Sequence, residues 1–381
     1  MIVGGVMSGT SCDGINVALV NIAQARRGHP NLKLIAHAEF AYPKAVRKAI
    51  LAAMNSDHAK VSDLARLNFL LAELYAEALM VTQRRFRVKI QLVGCHGQTL
   101  YHQGEAENFL GRKIATTWQV GDGSIIAART GVPVVSDFRP ADMAAGGKGA
   151  PLVPFLDYYL FRDRRVGRIV QNLGGIANLT AVPPGAPAKD VIAFDTGPGN
   201  MVMDALTERL FHKAFDRDGM IAASGRVLDR VVSSLMRSPY FRRKPPKAAG
   251  REEFGREFVQ LFLRECGRSD KRDVIATATA LTAYSIANAI RKFVPNRRAY
   301  KEFIVSGGGA NNPALLAMLA NLLAPLGLQV RLSDEFGIPS EAKEAVAFAL
   351  LAHQTWNQKS SNIPAATGAK RPAILGKVSY V

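Results

Sequence analysis

The chain has 381 residues, 48 % apolar and 21 % charged, which is long enough for two domains and ordinary for a globular enzyme, not for a disordered or fibrous protein. No apolar run is long enough to cross a bilayer, and Cys12, Cys95 and Cys266 form no C-x-x-C pair, which argues for reduced thiols in a cytoplasmic protein and against a disulfide framework. The net charge of +18 is scattered in small clusters such as Arg26-Arg27 and Arg297-Arg298, without interleaved aromatics, so it reads as a solvated surface bias with neither nucleic acid nor membrane as partner.

Residues 1–6 lack a basic leader and read as a first strand instead of a signal peptide. Residues 2–6 and 15–21 predict two strands joined by the turn Met7-Ser8-Gly9-Thr10-Ser11-Cys12-Asp13-Gly14, and 33–42 a third. Apolar spacing predicts helices over 44–54 and 61–85. Residues 88–94 predict a strand, with Val88, Ile90 and Leu92 on one face, that ends in Cys95-His96-Gly97-Gln98-Thr99. A short helix over 121–129 closes at Gly131 before a strand over 132–136. Residues 137–149 have few bulky apolar side chains and read as the loop where the chain crosses between domains.

The second half repeats the opening. Strands are predicted over 168–171, 179–182 and 191–194, a helix over 199–212, a break at Pro245-Pro246, a long Ala-rich helix over 276–293, a strand over 301–305 and a last helix over 342–354. Two related α/β lobes follow from this order, an N-terminal lobe over 1–138 and a C-terminal lobe over 139–359, with 360–381 packing back on the first.

Four glycine turns follow apolar runs: the first turn above, Asn172-Leu173-Gly174-Gly175-Ile176-Ala177-Asn178, Asp195-Thr196-Gly197-Pro198-Gly199-Asn200 and Ser306-Gly307-Gly308-Gly309-Ala310-Asn311. Glycine lets backbone N–H groups approach an anion, and Ser, Thr and Asn add neutral donors, so four such turns point to a phosphate-handling cleft. Neither a Walker motif nor a clean G-x-G-x-x-G is present, since Lys148 in Gly146-Gly147-Lys148-Gly149 is followed by glycine. Asp195 ends an apolar strand beside a helix start, where a carboxylate can act as a base or as an N-cap.

Residues 4–16, 94–99, 117–123, 134–154, 172–178, 194–204 and 307–312, with 344–348 and 366–369 near the end, resemble the anhydro-N-acetylmuramic acid kinases of the sugar kinase, Hsp70 and actin ATPase superfamily. The resemblance implies a two-lobed actin-like ATPase (ribonuclease H-like) α/β fold with a nucleotide and sugar cleft between lobes. It implies ATP and Mg2+ as cofactors, an anhydrosugar substrate and a homodimer. Asp195 matches the catalytic base that activates the water attacking the anomeric carbon. Gly9, Thr10, Ser11, Asp13 and Gly14 match a first phosphate turn, with Asp13 orienting magnesium-bound water. Asn172, Gly174 and Gly175 match a second phosphate turn, and Gly307, Gly308, Gly309 and Asn311 the adenosine turn. His96, Gln98, Asp122, Arg139 and Glu344 match substrate-cleft positions. Arg139 is a candidate for the lactyl carboxylate, or for a salt bridge to Asp137 or Asp142.

Two departures stand out. Asn16 occupies a position where the family usually has a second aspartate, and Lys247-Ala248-Ala249 lacks the Ser-Thr that commonly follows the lysine. The leading expectation is ATP-dependent hydrolysis and O6 phosphorylation of 1,6-anhydro-N-acetylmuramic acid, giving the 6-phosphate in cell-wall recycling. A kinase for another anhydrosugar such as levoglucosan is the alternative.

Overall fold

Alternating valine-rich runs at the start of the chain pair as a meander of β1 (Ile2–Ser8), β2 (Gly14–Arg26) and β3 (His29–Ala41), antiparallel throughout. The computed structural model describes residues 1–9, 12–26, 29–54, 56 and 58–381. β4 (Leu92–Phe109) and β6 (Val134–Ser136) add in parallel beyond β1, and β12 (Lys377–Ser379) closes that edge antiparallel to β6. The sheet order is β12-β6-β4-β1-β2-β3, with β5 (Arg112–Val120) paired to β4.

The helices of this unit are α1 (Lys44–Met54), α2 (Val61–Phe86), α3 (Gly123–Thr130), α4 (Phe138–Ala144) and α5 (Pro154–Phe161). From the end of the chain come α13 (Lys343–Trp356) and α14 (Pro364–Thr367). α13 is almost wholly buried and lies on β1, β2 and β4. It comes so close that a Cβ on Gly5 would overlap the Ala345 carbonyl and one on Gly94 the Phe348 carbonyl. Only glycine permits that approach.

A second sheet repeats the plan. β7 (Gly167–Leu173), β8 (Ile176–Val182) and β9 (Ile192–Pro198) form a meander, and β10 (Tyr300–Ser306) and β11 (Gln329–Leu332) add in parallel beyond β7, in the order β11-β10-β7-β8-β9. Between β9 and β10 come α6 (Asn200–Phe211), the short α7 (Met220–Ala223), α8 (Asp229–Leu235), α9 (Arg251–Phe254) and α10 (Arg256–Cys266), and then α11 (Lys271–Phe293). α12 (Pro313–Leu323) links β10 to β11. α11 starts at Asp270, whose carboxylate accepts from the Arg272 N–H, and its Ala- and Thr-rich surface is buried under α6, α7, α8, α12 and β9. In each sheet the first strand is central, the meander lies to one side, two parallel strands lie to the other, and only the second strand of these five runs against the rest.

The chain divides into two units, Met1–Leu160 with Gly337–Val381, and Phe161–Phe336. The expected division at residue 138 thus falls inside the first unit, and the returning segment starts at Gly337 instead of 360. The reason is α13, which buries its apolar surface on the first sheet.

Two local expectations need correction. The strand predicted over 88–94 starts at Leu92 and runs on to Phe109, so Cys95 to Thr99 lie inside it. Its first half is buried and its second half, with β5, is an exposed hairpin turning at Leu110-Gly111, both at positive φ. Residues 138–144 form α4 where a loop was expected, because Pro140 sits in the first turn, where its missing N–H has no helical partner to lose.

Candidate active site

In the first unit the end of β1 is tied down by side chains. Ser8 Oγ donates to Gln98 Oε1 (2.5 Å) and accepts from the Tyr42 hydroxyl (2.8 Å), while Gln98 Nε2 donates to the Gly9 carbonyl (3.2 Å). Gln98, fully buried, therefore holds the turn. Thr10 and Ser11 lie outside the described residues. Cys12 sits at φ +56° with its N–H on the Gly9 carbonyl, and Arg47 of α1 donates to the Cys12 carbonyl (3.1 Å) and to Asp13 Oδ1 (3.4 Å). Asp13 stays mostly solvent-exposed. Gly14 has a packing reason to be glycine, since a Cβ there would overlap the Phe40 carbonyl. Asn16, on β2, is taken up by His37 of β3, Nε2 to Oδ1 2.9 Å.

Arg139, in the first turn of α4, directs both Nε (3.1 Å) and Nη2 (3.0 Å) at Nε2 of His96. Arginine can only donate, so Nε2 must be the bare acceptor and Nδ1 carries the proton to the Gly97 carbonyl (2.7 Å). Burial and the neighbouring guanidinium push the His96 pKa down to about 3, which keeps the ring neutral. Burial also lowers Arg139, to about 10, and Glu344 partly offsets this. Neither expected salt bridge forms. Asp137 pairs with Lys377 (3.1 Å), and the fully buried Asp142 accepts from the Gly149 N–H, Asn362 and Thr367. Among the described residues no carboxylate lies within 4 Å of the Arg139 guanidinium nitrogens.

Glu344, in the first turn of α13, keeps solvent contact while surrounding protein desolvates its carboxyl and raises its pKa against Lys343 and Arg139. Asp122 caps α3, its Oδ1 accepting from Ser124 and Ile125. Its capping role accounts for the carboxylate without a ligand.

In the second unit Asp195 lies inside β9, not at its end. Its N–H donates to the Lys247 carbonyl (3.1 Å), its Oδ2 accepts from the Ala249 N–H (2.8 Å), and its carbonyl accepts from the Tyr240 hydroxyl (2.8 Å). Among the described residues Oδ1 has no hydrogen-bond partner. Burial raises its pKa to about 6, opposed by the Ala249 N–H and the Lys247 charge and helped by Glu252. A carboxylate at that value is ionised at neutral pH yet basic enough to take a proton. The Ala249 contact does not depend on the absent Ser-Thr pair. The donor is the backbone, which any residue supplies.

The Asn172 to Asn178 turn is the β7–β8 hairpin. Its Gly174 carbonyl accepts from Asn200 N–H (2.8 Å), and its Gly175 carbonyl from Gly199 (2.9 Å) and Met201 (3.1 Å), so it covers the N-terminus of α6. Those helix donors are already satisfied. A Cβ on Gly174 or Gly175 would meet nothing closer than 3.5 Å, so the fold itself does not demand glycine there. Gly307 differs: its φ is +86° and a Cβ would press on Asn172 Oδ1 (2.7 Å) and the Leu173 carbonyl (2.8 Å). Gly309 is held against Leu173, whereas Gly308 is open. Gly308, Gly309 and Asn311 line a cavity of about 330 Å³ with Asn200, Asp204 and Phe215. Asp204, raised to about 6 by burial, faces it from the second turn of α6. Sequence reasoning missed Asp204, Tyr240 and the side chain of Lys247. The i, i+4 spacing of Asn200 and Asp204 was the available signal for the first.

Two units, each with a five-strand core in ribonuclease H-like order, define the two-lobed α/β fold of the actin-like ATPases and sugar kinases. A family model described as anhydro-N-acetylmuramic acid kinase matches residues 1–381. The chain belongs to that family. It is 41 % identical to the anhydro-N-acetylmuramic acid kinase of Caldanaerobacter subterraneus subsp. tengcongensis, over 99 % of this chain and 96 % of that one. It is 40 % identical to that of Bacillus cereus (strain Q1), over 100 % and 99 %. Among solved structures, a ROK family glucokinase from Streptomyces griseus in complex with glucose and AMPPNP aligns at a TM-score of 0.40 and 13 % identity, covering 93 % of this chain and 100 % of that one.

Proposed function

We propose that this chain is an ATP-dependent kinase that opens 1,6-anhydro-N-acetylmuramic acid with water and phosphorylates O6, giving N-acetylmuramic acid 6-phosphate. The observation that carries the mechanism is Asp195, a desolvated carboxylate with one oxygen held by a backbone N–H and the other without a partner among the described residues. It takes a proton from water as that water attacks the anomeric carbon. The C1–O6 bond breaks with its electron pair on O6, which attacks the γ-phosphorus of ATP with ADP as leaving group, and the proton on Asp195 passes to solvent.

The 330 Å³ cavity suits the nucleoside, with Gly308, Gly309 and Asn311 along one wall. The open faces of Gly174 and Gly175 suit phosphate oxygens. The described residues contain no cluster of three metal-binding side chains. Mg2+ fits this chain as an ion held by phosphate oxygens and water, and the exposed Asp13 carboxylate fits as a partner for one such water. Bound there, the ion neutralises charge on the phosphates. Arg139, aimed by neutral His96 and lacking a carboxylate, binds the lactyl carboxylate, and Glu344 receives sugar hydroxyls. We further place the reaction in peptidoglycan recycling in the cytoplasm, with the enzyme as a homodimer.

The test is a product assay with magnesium-ATP and purified 1,6-anhydro-N-acetylmuramic acid, with levoglucosan and Asp195→Asn run alongside. A sugar 6-phosphate from the muramic substrate, reduced roughly 10²–10⁴-fold in the variant, is the expected result. Turnover of levoglucosan alone would overturn the substrate assignment.

A further inference from the structure

We propose that Lys247 is a positioning residue for the reaction, whose buried ammonium locks a strap over Asp195 and holds that carboxylate ionised and aimed. The inference rests on Asp195 being the base.

The geometry is a closed ring of contacts. The Lys247 carbonyl takes the Asp195 N–H (3.1 Å), and two residues on the Ala249 N–H gives to Asp195 Oδ2 (2.8 Å). One tripeptide thus fixes both the backbone and the carboxylate of the base. Tyr240 closes the ring, its hydroxyl on the Asp195 carbonyl (2.8 Å) and its own carbonyl accepting from Lys247 Nζ (3.3 Å). The ammonium lies 4.4 Å from the Tyr240 ring centre, 5.1 Å from Phe293 and 5.9 Å from Phe194. Lys247 is 6 % exposed, and no carboxylate lies within 4 Å of its Nζ among the described residues.

If Lys247 served only to fill space, methionine would fill the same aromatic box without the cost of burying a charge. A cation there has an electrostatic consequence for the desolvated Asp195 carboxylate, with which it interacts. The groups facing the pair work in both directions. Glu252 and Glu253 of α9 add negative charge, while Arg243 (paired with Glu253 at 2.9 Å) and Lys292 of α11 add positive charge. Lys247 itself is lowered to about 8, first by burial and then by Arg243, so it remains charged across the range in which Asp195 ionises. Losing the cation therefore moves Asp195 titration upward.

The experiment compares wild type, Lys247→Met and Lys247→Arg in kcat against pH from 5 to 9, with a ¹³C NMR titration of the carboxylates assigned through Asp195→Asn. The expected result is a Lys247→Met enzyme whose acid limb, and whose Asp195 titration, move up by about a unit, so that activity recovers on raising the pH, with Lys247→Arg returning both toward wild type. An equal loss at every pH with an unmoved Asp195 titration would overturn the proposal. Should Lys247→Met fail to fold, Tyr240→Phe, which cuts the ring at the Asp195 carbonyl, must still lower kcat more than it raises KM. An unchanged kcat would overturn the proposal equally. The titration reads Asp195 without turnover, so it separates failure of this inference from failure of the kinase assignment.

Discussion

Asp195 is paid for in stability. Its pKa rises from an ordinary 3.8 to about 6 because burial disfavours the charged form. The folded state therefore binds the proton more tightly than the unfolded chain does. The sign follows: stability is fullest below pH 3.8 for this group and falls as pH rises through about 6. The loss is at most about 3 kcal/mol at neutral pH, taking about 1.4 kcal/mol per unit. Asp195→Asn, which cannot ionise, should match wild type in denaturant unfolding near pH 4 and exceed it at pH 7. A constant difference at both pH values would place the effect in lost contacts instead.

Arg139 belongs to the same scale. Two hydrogen bonds to neutral His96 orient it without neutralising it. Arg139→Met should raise KM for the muramic substrate about 10- to 100-fold, the worth of a charge-assisted pair, and leave an anhydrosugar without the lactyl carboxylate unaffected. Equal losses on both sugars would remove the carboxylate from the account. Residue types at Asp195, Arg139 and His96 were legible in the chain. Their partners were not, because Ala249 acts through its backbone and a backbone donor leaves no trace in residue identity. Gln98 and Asp122 are each taken up by the fold, and a polar side chain satisfied inside a protein looks, in sequence, like one waiting for a ligand.

Among the elements, the glycine turns divide by what requires the glycine. At Gly307 and Gly309 the protein does, through positive φ or contact with Leu173. At Gly175 and Gly308 nothing in the protein does. Gly175→Ala should fold with an unchanged Tm and raise KM for ATP, whereas Gly309→Ala should lower Tm. An unchanged KM in Gly175→Ala would remove phosphate from that turn. The meanders, α1, α2 and the long α11 could be read from periodicity within a residue or a few. The β4–β5 hairpin could not, since its outer half is exposed on both faces and has no apolar side to alternate with. α4 was hidden by its own proline.

Across the whole molecule, two copies of one sheet order account for the repeated motif of strand, glycine turn, strand. The boundary between units was harder to place, because no composition change marks it. What marks it is burial: α13 covers the first sheet, and β12 pairs with β6 far back in the chain. A chain ended after Phe336 should therefore lose the first unit to proteolysis while 161–336 resists. Equal resistance of both would show that the first sheet stands without α13.

The same return of 337–381 has a consequence for synthesis. A ribosome delivers 1–160 first, yet that unit lacks a helix that lies against three of its strands until the last residues emerge. The middle of the chain, with all five of its strands in one stretch, is free to fold earlier. Folding during synthesis is thus expected to run from the centre outward, with the first strands waiting for a helix near the far end of the chain.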